Sequence, residues 1–182
     1  MMPKTEYGVS KFIGERMCRA FKKQYGTNYT IWRPFNIITP NEVGMTEQGF
    51  SHVFADYIKN IIIEKFNPLP IIGDGEQIRC FTWIEDIANI IAEYSFDERA
   101  LNDVFNVCNV EPITMKDLAQ KIYKHVKNRE ELKFKTTKNY ENDVRVRIPS
   151  VEKFTNSFFK FNYQSNKKSI EICVAHTLEN KI

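Results

Sequence analysis

Two residues near the start of the chain are spaced for joint chemistry. Tyr7 and Lys11 lie four apart in the run Tyr7-Gly8-Val9-Ser10-Lys11, and residues four apart on a helix share a face. A phenol and an ammonium on one face can act on a single bound group. A free phenol titrates near ~10, too high for a good base at neutral pH, and a neighbouring ammonium favours the phenolate. The same spacing also arises where a half-buried aromatic lies beside a solvated lysine, so the pair alone carries no function.

Three later blocks add groups of other kinds. In Arg33-Pro34-Phe35-Asn36 the Asn36 amide can donate to a ligand or cap its own loop backbone, and Arg33 reads as an ion-pair partner holding a strand end. Arg79 follows Gly73-Asp74-Gly75-Glu76-Gln77. Its guanidinium fork suits phosphate oxygens, with a surface salt bridge as the plainer alternative. The glycine pair reads as a tight reverse turn and not a phosphate cradle, because no helix opens directly behind it. Arg145 and Arg147 in Asp143-Val144-Arg145-Val146-Arg147-Ile148-Pro149 can bind an anion or clamp the C-terminal helices.

The elements that must position these groups follow from periodicity. A helix is expected from about Thr5 to Tyr25, with Phe12, Ile13, Met17, Ala20 and Phe21 as its buried stripe and Gly26 as its stop. Tyr29 to Trp32 reads as a short strand ending at Arg33-Pro34. A second amphipathic helix carries Phe50, Val53, Phe54, Tyr57, Ile58, Ile61 and Ile62. Leu69 to Ile72 reads as a strand, Ile78 to Trp83 as its return, and Ile84 to Tyr94 as a third helix that Asp86 caps or anchors. Asp103 to Val107 is a further strand, and Thr114 caps a helix carrying Leu118, Ile122 and Val126. The segment 128–149 reads as polar and loop-like, Ser150 as the cap of a short helix, and Ser169 to Leu178 as a terminal helix.

Composition narrows the class. A chain of 182 residues, 42% hydrophobic and 27% charged, is long enough for one substantial core or one with an appendage. The formal charge of +3 comes from interspersed lysines and acids, so nucleic-acid binding is not expected. No apolar run approaches membrane-spanning length, and the N-terminus lacks a charged-then-apolar leader. Cys18, Cys80, Cys108 and Cys173 are scattered, as are the three histidines. No metal site or disulfide framework is therefore expected, and reduced thiols in a cytoplasmic protein fit best.

Taken in order, the four blocks resemble the C-terminal portion of an extended short-chain dehydrogenase/reductase, in the NAD-dependent nucleotide-sugar epimerase/dehydratase family. The tail from Asp143, with Arg33-Pro34-Phe35-Asn36 and Arg79-Cys80-Phe81-Thr82, is most similar to UDP-glucuronate decarboxylases. The resemblance implies that Tyr7 takes a proton from a sugar hydroxyl of a UDP- or dTDP-sugar while the carbon gives hydride to NAD. It implies that Lys11 supports the phenolate and bonds the nicotinamide ribose, and that Pro34 and Phe35 lie near the nicotinamide. Asn36, Pro70, Ile72, Arg79 and Asp143 would then bind the nucleotide sugar, with Arg147 acting near a sugar carboxylate.

The same resemblance implies an α/β fold: an incomplete Rossmann-type arrangement lacking the N-terminal dinucleotide-binding half, with a small mixed substrate-binding domain. Residues 1–36 and 103–110 would be the remnant of the NAD-binding domain, and 37–102 with 111–182 the nucleotide-sugar domain. A homodimer through the Tyr7/Lys11 helix, or a complementary N-terminal half, is the implied protein partner. Two departures stand out. Ile38-Thr39-Pro40 replaces the usual Tyr-Gly-Pro, and threonine tolerates positive φ poorly. No G-x-x-G-x-x-G turn occurs in the sequence, although the pyrophosphate of NAD needs one. The alternative reading is a truncated, catalytically inactive binding or interaction protein.

Overall fold

A computed structural model of the chain describes residues 5–45, 51–126, 130–138 and 144–180. In chain order the elements are α1 (Glu6–Tyr25), β1 (Thr30–Pro34), β2 (Ile37–Ile38), α2 (Val53–Ile58) continuing into a π-helical turn (Lys59–Ile63), β3 (Leu69–Ile72) and β4 (Ile78–Cys80). Then follow β5 (Thr82–Trp83), α3 (Ile84–Tyr94), β6 (Asp103–Val107), β7 (Pro112–Thr114), α4 (Met115–Tyr123), β8 (Phe134–Thr137), α5 (Glu152–Ser157) and α6 (Asn166–Asn180). Phe50 and Asp143 lie outside the described residues.

The expected parallel pair is present. β1 runs beside β6 with Trp32 opposite Phe105 and Arg33 opposite Asn106. A parallel pair needs a long crossover, and here the whole stretch from β2 to α3 supplies it. Trp32 then packs at 5.4 Å from Phe105 and 6.3 Å from both Phe154 and Phe158. Ile87, Ile90 and Tyr94, spaced three and four along α3, close this aromatic core.

A second core lies under α2. Phe54, Tyr57, Ile58, Ile61 and Ile62 pack with Leu69, Ile71, Leu118, Ile122, Ile170 and Val174 from β3, α4 and α6. Each such side chain, fully buried, contributes about 1.5–3 kcal/mol before conformational entropy is subtracted. The short α2 has no side-chain cap at its N-terminus, so packing rather than capping holds it.

Five sequence expectations need correction. α1 is capped as expected, with Gly8 N–H donating to Thr5 Oγ1 and Gly26 in the left-handed region at φ 74°, but no residue in it is buried. Ile13, Met17 and Phe21 are each at least 50% exposed. The half-buried face is instead Gly8, Phe12, Glu15, Cys18 and Lys22, anchored by the Arg33 guanidinium donating to both Glu15 carboxylate oxygens at 2.5 and 2.6 Å. An apolar stripe buries only where a second surface meets it, and none of the described residues does so.

β4 is not the return of β3. β3 pairs parallel with β8, a strand inside the segment read as loop, while β4 pairs antiparallel with β7. The polar alternation of Phe134-Lys135-Thr136-Thr137 hid a half-exposed edge strand, whose burial runs intermediate, exposed, exposed, intermediate. The loop after Asn36 also differs: positive φ falls on Asn36 itself, at 40°, and not on Thr39. Asparagine tolerates that region far better than threonine. Lastly, Ser150 lies two residues before α5, where its hydroxyl accepts from Glu152 N–H at 3.4 Å.

Candidate functional site

A cavity of about 350 Å³ opens between α2, the end of β3, β4 and the tail. Asn36, Ile72, Arg79 and Arg147, drawn from distant parts of the sequence, line it together. Tyr57, Asn60, Gln77, Phe81 and Met115 complete much of the wall.

Arg79 is held from its backbone outward. β4 sits between β7 and the tail, with Ile78 N–H donating to Arg145 O at 2.8 Å and Arg147 N–H donating to Ile78 O at 3.1 Å. The Arg79 Nη1 group then donates to Val144 O at 2.7 Å. One strand residue thus fixes both arginines at the cavity. Arg145 points the other way, donating to Asp74 at the turn tip at 3.0 Å. The Glu76 N–H, followed by the Arg145 guanidinium, holds the Asp74 carboxyl below the usual carboxylate range.

Asn36 is oriented by its neighbours on β4 and β5. Its Nδ2 donates to Cys80 O at 2.7 Å, and Thr82 ties down the preceding turn by donating from Oγ1 to Phe35 O at 3.1 Å. A carboxamide nitrogen carries two donors, so this bond uses one and aims the other.

The cavity is receptive to anions. Arg79 and Arg147 bring two permanent positive charges. Among the described residues the one carboxylate in the wall, Asp56, is occupied by Met45 N–H at 2.8 Å and by the Ser51 hydroxyl. Burial pushes the Tyr57 phenol well above its ordinary value, so it faces the cavity as a neutral group.

The remaining sequence candidates lie elsewhere. Tyr7 and Lys11 occupy the first turns of α1, with the Lys11 ammonium 5.2 Å from the Tyr7 ring centroid and Tyr7 73% exposed. Ser10 donates to Tyr7 O at 2.8 Å, the local role expected of it. Neither Tyr7 nor Lys11 is among the residues lining the cavity. Pro34 ends β1 and Phe35 follows it, and Pro70, on β3, is not in the wall; Asp143 falls outside the described residues. Arg33 is spent on Glu15, and Asp86 anchors α3 by accepting Gln164 N–H at 2.8 Å. Burial raises the Asp86 carboxyl above its ordinary range, against the pull of that bond.

The cavity-facing stripe of α2, made of His52, Val53, Asp56, Tyr57 and Asn60, was read from the sequence only as an amphipathic core helix. The signal was available: Asp56 and Asn60 are polar, four apart, and set within the apolar face.

A profile of the NAD dependent epimerase/dehydratase family matches residues 1–108. The chain belongs to that family. It is 27% identical over 111 residues to an uncharacterized UDP-glucose epimerase of Bacillus subtilis strain 168, a match covering 61% of this chain and 33% of that protein. Its fold is similar to the UDP-N-acetylglucosamine 4-epimerase of Methanobrevibacter ruminantium in complex with UDP-N-acetylmuramic acid. There the TM-score is 0.81 at 20% identity, over 99% of this chain and 56% of that one. It is also similar to the UDP-glucuronic acid 4-epimerase of Bacillus cereus in complex with UDP-glucuronic acid and NAD. That match has a TM-score of 0.76 at 21% identity, over 98% of this chain and 54% of that one. The chain therefore spans about half the length of these structures and a third of the curated relative. The α/β arrangement with its parallel β1–β6 pair is the corresponding part of a Rossmann-type epimerase fold.

All four cysteines are free thiols. Burial pushes Cys108 and Cys173 up to about 12. Among the described residues, no helix is long and apolar enough to cross a membrane.

Proposed function

We propose that this chain forms the nucleotide-sugar-binding part of an NAD-dependent epimerase, dehydratase or decarboxylase acting on a UDP- or dTDP-sugar. The observation that carries the reading is the cavity, where two guanidiniums, an oriented carboxamide and apolar walls converge. Such a mixture suits a nucleoside diphosphate: forks for the phosphates, apolar surface for the base. In this reading residues 37–102 and 111–182 hold the nucleotide sugar, and residues 1–36 with 103–110 hold the cofactor side.

Arg79 and the second Nδ2 hydrogen of Asn36 bind the diphosphate and Ile72 lies against the base, while Pro70 and Asp143 are assigned to the substrate by the family resemblance alone. Arg147 meets a carboxylate on the sugar, which favours UDP-glucuronate. Tyr7 takes the hydroxyl proton onto its phenolate oxygen as the carbinol C–H departs as hydride, leaving a keto sugar. The Lys11 ammonium above the ring supports that phenolate by its charge. Bound NAD supplies the hydride acceptor. The donor set of Tyr7 and Lys11, with Pro34 and Phe35, fits a nicotinamide riboside; for the pyrophosphate no glycine-rich turn occurs in the 182 residues. The exposed α1 stripe fits a second copy or a complementary N-terminal half.

The test is calorimetric. UDP-glucuronate and UDP-glucose are titrated into the chain and into Arg147→Ala and Arg79→Ala. The expected result is that Arg79→Ala weakens both ligands and Arg147→Ala weakens UDP-glucuronate more. Absence of binding by either sugar nucleotide, or indifference to both substitutions, overturns the reading. Where turnover is measured with the N-terminal half supplied, Tyr7→Phe abolishes it and leaves binding intact. A second reading, binding without redox chemistry, is favoured by the 73% exposure of Tyr7, and unchanged turnover in Tyr7→Phe would favour it further.

A further inference from the structure

Two buried polar side chains face the cavity from α2 and the π turn, and they are not equivalent. The Asp56 carboxylate is satisfied within the protein by Met45 N–H and Ser51. Asn60 is 2% exposed, and its Oδ1 has no hydrogen-bond partner among the described residues. A buried acceptor left unpaired is costly, and native structures keep few of them without a reason. Asn60 is also the second residue of the π turn Lys59–Ile63, a departure from α-helix that is frequent at functional sites.

The neighbours of Asn60 say what would complete it. The π turn packs against α4, whose first residue, Met115, lines the cavity with Ile72 and Gln77. Met115 N–H donates to Gln77 O at 3.1 Å, so this end of the cavity is where β4 begins. At the other end of β4, Asn36 is bonded to Cys80 O. Arg79 lies between them on the strand, and Arg147 sits beside it on the tail. The cavity therefore runs from an end with apolar walls and the carboxamides of Asn60 and Gln77, past the cations, to the Asn36 end where β1 stops.

We infer that Asn60 is the base-reading residue of this site, taking the imide edge of a uracil or thymine ring. This rests on the nucleotide-sugar reading of the cavity. Its Oδ1 accepts the ring N3–H, and its Nδ2 donates to the adjacent ring carbonyl, a side-by-side match that a carboxamide supplies and a hydroxyl does not. Ile72 and Met115 provide apolar surface for the ring faces. The order along the cavity is then base, diphosphate, sugar, with the sugar toward the end of β1.

The experiment compares UDP with its N3-methyl derivative, titrated into the 182-residue chain and into Asn60→Ala. Methylation removes the donor alone. It is expected to weaken binding to the native chain by about tenfold or more, whereas Asn60→Ala binds the two ligands within about twofold of each other. Asn60→Leu adds a readout that a purely structural role would not give: the ligand-free chain melts at the same or a higher temperature, while the UDP-induced rise shrinks. Equal binding of the two ligands by the native chain overturns the assignment of Asn60 and leaves the nucleotide site standing. Absence of UDP binding overturns both, and that outcome is visible before any variant is made. The native-chain comparison needs no substitution, so a variant that fails to fold does not remove the test.

Discussion

α1 and the α2–π segment sit on either side of the first two strands and owe their structure to different causes. α1 is twenty residues long, capped by Thr5 and closed by a left-handed Gly26, and buries nothing. α2 is six residues long, has no side-chain cap, and buries five of the six. The first is held by propensity, caps and one ion pair. The second is too short to persist alone in water and exists because the core packs on it. Local sequence therefore dictates α1, while α2 is dictated by its surroundings. The residues assigned to proton transfer are on the locally specified helix, and the packed one contributes Val53, Asp56, Tyr57 and Asn60 to the cavity wall.

Truncation separates the two most sharply. Ile61→Ala, at a fully buried position of the π turn, is expected to cost about 2–5 kcal/mol, lowering the melting temperature at roughly 2–4 °C per kcal/mol; a scanning calorimeter measures it. A loss below ~1 kcal/mol would mean that the segment is not held by packing. The next effect is acid dependence. The Arg33 fork, bonded to Glu15, holds the Glu15 carboxyl below its ordinary value of 4.5. Its folded value is depressed, so its contribution is present above that ordinary value and lost as pH falls through the depressed one. Amide exchange in α1 should thus accelerate in acid before exchange in the π turn does, and Arg33→Ala should remove the difference. Removing the cap, Thr5→Ala, is expected to cost about 1 kcal/mol of helix stability, read as faster amide exchange confined to the first turn. Met17→Ala, on the exposed stripe, should change stability by less than ~0.5 kcal/mol in the isolated chain. A larger loss would show that the stripe is already covered in solution.

The same contrast explains what the sequence disclosed. The helix bearing Tyr7 and Lys11 and the β1 and β6 strands were legible because caps and turns mark them locally, whereas only the family resemblance, and no local signal, grouped Asn36, Ile72, Arg79 and Arg147. The fate of the α1 stripe was not legible, since periodicity reports that a face is apolar and not that anything meets it. β8 was missed because Lys135 and Thr136 are solvent-facing and its pairing with β3 bridges sixty-odd residues of chain. Asn60 was missed because a polar residue in an amphipathic helix reads as surface until its neighbours are known. Pro70 lies on the same half-buried face of β3 as Ile72, but one strand step further from the β4 end, and stays out of the wall.

The pairing of Thr30 with Asp103 has a consequence for how the molecule comes together. These partners lie about seventy residues apart, and closing so long a loop costs about 3 kcal/mol more than closing a two-residue hairpin. Contacts of such range are slow to form. The shorter-range contacts between α2 and its π turn and between β7 and α4 carry no such penalty, whereas the β3–β8 pair spans nearly as long a loop as β1–β6. The cavity shares that delay, because Ile78 N–H must reach Arg145 O across a comparable length of chain to seat the tail beside Arg79.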